Sequence, residues 1–76
     1  MYELFVSETC PYSIKVMEYF KENDIPYRKK AVSSPEIMEE LIRLGGIEQV
    51  PFLYNPEDGT RMYESDEIIE YAERNK

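Results

Sequence analysis

The chain has 76 residues, of which 42% are hydrophobic and 33% charged, a balance that fits one small globular domain and excludes a disordered chain. Nine basic against sixteen acidic residues give a formal charge of −7. This charge argues against nucleic acid or an anionic membrane as the main partner, because both bind clustered Lys and Arg. A single cysteine and no histidine exclude an internal disulfide, histidine-based catalysis and a mononuclear metal site of the usual spacing.

The chain also shows no sign of a membrane or secretory destination. No apolar run approaches the length of a membrane span, and the first residues lack the basic start and long apolar stretch of a signal peptide. A fold without a disulfide does not depend on an oxidising compartment. We therefore expect a cytoplasmic protein.

The first half of the chain predicts a strand, a helix and a second strand. Met1 to Val6 is a short extended run with side chains on two faces. A helix begins at Pro11, since the missing N–H of proline has no intrahelical partner at the first position. It continues to about Asn23 with an apolar stripe at intervals of three and four, formed by Ile14, Val16, Met17, Tyr19 and Phe20. Tyr27 to Val32 is the second strand, and we expect its basic run at a sheet edge.

The second half predicts a helix, a hairpin and a final helix. Ser34 and Pro35 form an N-cap and a first-turn proline, and two consecutive glycines end the helix that they start. Val50 to Tyr54 is an apolar strand, and Thr60 to Tyr63 returns as its hairpin partner. Ser65 is predicted to cap the last helix, whose first turn is acidic.

The predicted order is therefore β-α-β-α-β-β-α. A strand, a helix and a strand in succession indicate a parallel pair with a right-handed crossover, and the hairpin adds an antiparallel pair. We expect an α/β fold in which a four-stranded mixed sheet packs against three helices, as one domain over residues 1–76.

Cys10 lies between the first strand and Pro11, at or next to the N-cap of the first helix. Free backbone N–H groups and the positive end of the helix dipole stabilise an anion there, so the thiolate is favoured over the thiol. Such a position lowers a cysteine pKa from about 8.5 to roughly 3.5 to 7.5. The alternative is a buried structural cysteine, which is more typical of a periodic apolar face. The local sequence favours a nucleophile.

Three motifs in this order, Cys10-Pro11-Tyr12, Val50-Pro51 and Ser65-Asp66, resemble the glutaredoxin family of the thioredoxin fold, and the resemblance covers the whole chain. The stretch from Tyr63 to Tyr71, with Glu64-Ser65 before the helix, is also similar to the N-terminal domain of glutathione transferases. The resemblance implies a thioredoxin-like fold and a glutathione-dependent thiol-disulfide oxidoreductase.

The resemblance also implies roles for the first motif. Cys10 would be the nucleophile, followed by Pro11 at the start of the helix. Tyr12 would line the groove beside the sulfur and contact glutathione. Tyr12 and Ser13 would shape the mouth of the site, and the Ser13 hydroxyl could donate a hydrogen bond to the Cys10 sulfur.

The other two motifs would bind glutathione. The backbone of Val50 would contact its cysteine moiety, and the bond before Pro51 would be cis. Ser65 and Asp66 would bind the γ-glutamyl carboxylate at a helix N-terminus, which favours anions. Local sequence alone leaves plainer interpretations open: a trans proline at the first residue of a strand, a simple helix cap, and a solvent-facing Tyr12.

Ser13 stands where dithiol glutaredoxins have a second cysteine, and another large group carries Cys-Gly-Phe-Ser. A single thiol implies a monothiol mechanism, in which glutathione is removed from glutathionylated proteins or small disulfides. Glutathione would be the cosubstrate. We expect a monomer and no metal. The sequence leaves open whether Ser13 is natural or replaces a cysteine. Two alternative functions also stay open: a glutathione-ligated iron-sulfur cluster carrier and a non-catalytic glutathione-binding module.

Ser7 occupies the position, three residues before the catalytic cysteine, where many glutaredoxins carry a lysine. That lysine helps to hold the glycine carboxylate of glutathione. Lys15 and Arg43 are the candidates to replace its charge. We expect weaker glutathione binding than a basic groove provides.

Overall fold

The computed structural model describes all 76 residues and has the predicted order of elements. The strands are β1 (Tyr2–Val6), β2 (Tyr27–Ala31), β3 (Phe52–Asn55) and β4 (Thr60–Tyr63), and the helices are α1 (Pro11–Glu22), α2 (Pro35–Gly45) and α3 (Ser65–Arg74). None of these helices is long and apolar enough to cross a lipid bilayer. The predicted four-stranded mixed sheet with three helices is confirmed.

The sheet has the strand order β2-β1-β3-β4. β1 and β2 are parallel, whereas β3 is antiparallel to both β1 and β4. β2 is an edge strand, so its basic run, Arg28 to Lys30, lies at a sheet edge as predicted. There Lys29 pairs with Glu8 at 2.7 Å and Lys30 pairs with Glu40 at 2.9 Å.

β1 is buried on both faces because helices cover both sides of the sheet. Leu4 and Val6 pack with residues of α1 and α3, including Phe20. Phe5 points to the opposite face, where it packs with Leu41 of α2 and with Phe52. Side chains alternate along a strand, so a strand covered on both faces needs an unbroken apolar run. Leu4, Phe5 and Val6 provide that run and are fully buried.

Three predicted details are corrected by the structure. The strand β3 begins at Phe52 rather than Val50, since proline cannot donate a hydrogen bond to the ladder. The N-cap of α3 is Glu64, not Ser65: Glu64 has φ +76°, and its carbonyl accepts the Ile68 N–H at 3.0 Å. In α1 the residue at the start of the buried face is Ser13, whereas Ile14 is 37% exposed.

Candidate active site around Cys10

The turn after β1 places Cys10 at the start of α1. Cys10 is the N-cap of α1, with extended backbone angles, and its carbonyl accepts the Ile14 N–H at 3.0 Å. Its own N–H donates to the Ser7 carbonyl at 3.2 Å, which closes the turn. Pro11 is the first helical residue, as predicted. The thiol is partly exposed and therefore accessible to a substrate.

The pKa of the Cys10 thiol is lowered from its ordinary value by hydrogen-bond donors in the first turn of α1. The largest contribution comes from the backbone N–H of Ser13. Partial burial of the sulfur opposes it, and the Tyr12 N–H and the Ser13 hydroxyl lower the pKa further. N–H groups in the first turn of a helix have no intrahelical acceptor, so they are free to stabilise the thiolate. Cys10 therefore has the electrostatic environment of a nucleophile.

Ser13 acts on the pKa of Cys10 from the protein interior and does not shape the mouth of the site. Its side chain is fully buried. The Ser7 N–H donates to Ser13 Oγ at 3.2 Å, which leaves the serine O–H free to donate to the Cys10 sulfur. The Ser13 hydroxyl therefore lowers the pKa of Cys10 from a buried position that a substrate does not reach.

Ser13→Ala should raise the pKa of Cys10, because it removes one donor to the thiolate while the backbone donors stay. The rate of iodoacetamide alkylation, followed against pH, reports this pKa, since only the thiolate reacts. In the parent the rate should fall as the pH drops through a value below that of an ordinary cysteine, and in the variant the fall should begin at higher pH. Ile14→Ala, at the exposed neighbouring position, should leave the profile unchanged. Superimposable profiles for Ser13→Ala and the parent would contradict this role.

A groove of about 340 Å³ lies beside the first turn of α1. This volume is at the lower end of the range for small-molecule sites. The structure brings together five of the predicted site residues in its lining, which consists of Tyr12, Gln49, Val50, Pro51, Glu64, Ser65 and Asp66. Cys10 lies two residues before Tyr12, in the turn that borders the groove. Tyr12 is 64% exposed, so its ring is available to a ligand.

The Val50–Pro51 peptide bond is cis, as the resemblance implied. Pro51 is buried and Val50 is half-buried, and both residues line the groove. On the opposite side, Ser65 is buried and Asp66 is exposed at the first turn of α3. No side chain caps this turn, so its N–H groups are available to a ligand carboxylate.

The charge of the groove differs from that of a basic glutathione site. Its lining contains the two acids Glu64 and Asp66 and no base. Lys15 of α1 donates to Asp66 Oδ1 at 2.8 Å, so it compensates one of these charges from outside the lining. Arg43 is exposed on α2 and does not line the groove. The Ser7 hydroxyl bonds the Thr9 hydroxyl at 3.1 Å and brings no charge.

Two lining residues were not predicted from the sequence. Gln49 directly precedes the Val50-Pro51 motif, and its position in the loop was the only available signal. Glu64 was noted as part of the transferase-like Glu64-Ser65 pair, but no role was assigned to it.

A larger cavity, of about 490 Å³, lies near Met1 and Lys76 at the other end of β1 and is remote from Cys10.

Comparison with known proteins assigns the chain to a family. The family model described as the glutathione S-transferase N-terminal domain matches residues 4–76. No curated protein matches the chain.

Solved structures show the same fold. The thioredoxin-like protein BC3987 is similar with a TM-score of 0.81 and 20% identity, over 97% of each chain. Glutaredoxin 2 from Salmonella typhimurium, solved with glutathione, has a TM-score of 0.80 and 24% identity, over 95% of this chain and 32% of that one.

A glutathione S-transferase from Methylobacillus flagellatus, solved with glutathione bound, has a TM-score of 0.77 and 29% identity. The similarity covers 93% of this chain and 35% of the transferase, so the chain spans about a third of that protein. The predicted thioredoxin-like fold is thus confirmed, and the chain belongs to the family of glutathione S-transferase N-terminal domains, related in fold to the glutaredoxins.

Proposed function

We propose that the protein is a glutathione-dependent thiol-disulfide oxidoreductase that removes glutathione from mixed disulfides through Cys10 alone. The observation that carries the proposal is a partly exposed thiol with a lowered pKa, at the N-cap of α1, beside a groove lined by Tyr12, Val50, Pro51, Ser65 and Asp66. The glutathione found in the similar structures from Salmonella typhimurium and Methylobacillus flagellatus supports this class of ligand.

The reaction needs two thiol-disulfide exchanges. In the first, the Cys10 thiolate attacks the glutathione sulfur of a mixed disulfide, so that a Cys10–glutathione disulfide forms and the other thiolate leaves and takes a proton from solvent. In the second, the thiolate of a free glutathione attacks the glutathione sulfur of that intermediate. Glutathione disulfide leaves, and Cys10 returns as the thiolate. The mixed disulfide is reduced to a thiol, and two glutathione moieties end as one disulfide.

The groove orients the glutathione moiety for both steps. The backbone beside Val50 supplies polar groups to its central cysteine residue, next to the attacking sulfur. The γ-glutamyl end carries a carboxylate and an ammonium group. Backbone N–H groups of Ser65 and Asp66 suit the carboxylate, and the Asp66 side chain suits the ammonium group, in exchange for its contact with Lys15.

An assay coupled to glutathione reductase tests the proposal, with the mixed disulfide of glutathione and 2-mercaptoethanol as substrate. We expect turnover that depends on glutathione. Asp66→Asn should raise the KM for this substrate about tenfold, because a charge-assisted hydrogen bond to the ligand is lost. Glu67→Gln is the matched control, since it removes the same charge from the next residue, which lies outside the groove lining.

Two results would count against the proposal. Binding of glutathione without turnover would favour the non-catalytic module. Equal effects of Asp66→Asn and Glu67→Gln on KM would show that only the total charge of α3 matters, and would remove the specific role of Asp66.

A further inference from the structure

Tyr63, the last residue of β4, reaches across to the loop that leads into the groove wall. Its hydroxyl donates to the Ile47 carbonyl at 2.7 Å and accepts the Ile47 N–H at 3.3 Å. One side-chain group thereby satisfies both backbone polar groups of a single loop residue. The ring is held in place by Phe52, with ring centroids 4.6 Å apart.

This loop, residues 46–50, has few other contacts that fix its position. Its remaining hydrogen bonds are local: the Gly46 N–H donates to the Ile42 carbonyl at 2.8 Å, and the Gln49 N–H donates to the Ile47 carbonyl at 3.1 Å. Residues 46–49 are all exposed. The two bonds to Tyr63 are therefore the only hydrogen bonds that tie the loop to an element other than α2. The same loop carries Gln49 and Val50, which line the groove.

Gly45 makes room for this arrangement. It is the last residue of α2, and a Cβ atom at this position would collide with the hydroxyl of Tyr63 and press on the ring of Phe52. The position of the Tyr63 ring leaves no room for a Cβ atom, so residue 45 has to be glycine. The position of the Tyr63 ring, and with it the position of the hydroxyl, is therefore fixed by packing against the end of α2 and Phe52.

We propose that Tyr63 is a positioning residue that clamps the loop through Ile47 and so fixes the Gln49-Val50 wall against which glutathione binds. The inference rests on the proposed function and adds a determinant of glutathione affinity that does not touch Cys10. Tyr63 does not line the groove, so its effect passes through the loop.

Tyr63→Phe tests the clamp, since it keeps the ring and removes only the hydroxyl. We expect the KM for the glutathione mixed disulfide to rise about tenfold, because two hydrogen bonds that hold the wall are lost. The kcat and the pH profile of Cys10 alkylation should not change. Tyr54→Phe is the matched control, because Tyr54 packs in the same cluster, and its hydroxyl makes no hydrogen bond within the protein.

Gly45→Ala provides a second, independent variant. It should displace the Tyr63 hydroxyl and raise KM in the parent, whereas it should have a much smaller effect on KM in the Tyr63→Phe background. Such non-additivity is expected of two residues that act through one contact. Circular dichroism confirms that each variant is folded at the assay temperature.

Hydrogen exchange at the Ile47 amide gives a readout that does not depend on turnover. The amide should exchange faster in Tyr63→Phe and at the parental rate in Tyr54→Phe. Unchanged exchange in Tyr63→Phe, or an equal rise of KM in both variants, would overturn the clamp. If the parent shows no turnover but the Ile47 amide still exchanges faster in Tyr63→Phe, the result supports the clamp and contradicts only the proposed function.

Discussion

Cys10→Ser should lower the turnover of a glutathione mixed disulfide by at least about a thousandfold, to the rate without protein. A serine hydroxyl is not ionised at neutral pH, and the chain contains no histidine that could act as its base. The donors that lower the pKa of the Cys10 thiol therefore cannot create a comparable nucleophile from serine. The assay coupled to glutathione reductase measures the loss.

Thr9→Ser is the matched control for this variant. It changes the preceding, exposed residue of the same turn and should keep the parental rate. Mass spectrometry adds a second readout: after one exposure to the substrate, the parent should carry one glutathione, and Cys10→Ser should carry none. Turnover by Cys10→Ser above the background rate would show that another group performs the first attack.

Phe20→Ala should lower the free energy of unfolding by about 3–5 kcal/mol. Phe20 is fully buried in α1, and its ring lies 5.9 Å from Tyr2 and 5.3 Å from Tyr27, centroid to centroid. Its loss opens a cavity between β1, β2 and α1. A domain of this size has a stability of only about 5–10 kcal/mol, so this loss removes a large part of the free energy of unfolding.

Urea unfolding followed by circular dichroism measures this loss. Tyr12→Ala is the control, because it removes an aromatic ring of similar size from an exposed position of the same helix. Its stability should stay within about 0.5 kcal/mol of the parent. Similar losses in the two variants would show that the aromatic cluster around Phe20 does not stabilise the core.

The elements of this fold could be predicted because their ends carry strong local signals. Pro11 and Pro35 are the first residues of their helices, as the steric preference of proline requires. The start of α3 was displaced by one residue for an equally local reason. Glu64 adopts a positive φ, which a residue with a Cβ rarely does, and no sequence signal indicates it.

The site was less accessible to sequence reasoning than the fold. That Cys10 would lie at a helix start followed from its neighbours, but the meeting of three distant motifs in one groove followed from family resemblance. The burial of Ser13 could have been found, since it lies three residues before Val16 and seven before Phe20, on the face that both bury. The contacts of Lys15 with Asp66 and of Tyr63 with the loop depend on how separate elements pack, which spacing along the chain does not reveal.

The burial of Leu4, Phe5 and Val6 in β1 also bears on how the site moves. Segments that open by local fluctuation are those with few buried contacts, whereas a central strand paired on both edges and covered on both faces is exposed only when the whole domain unfolds. Cys10 is anchored by a short hydrogen-bonded turn to the end of that strand. The nucleophile is thus attached to the part of the fold with the most buried contacts, whereas the loop held by Tyr63 is exposed and makes few hydrogen bonds. We therefore expect the groove wall on the loop side to open by local fluctuation far more often than the turn that carries Cys10.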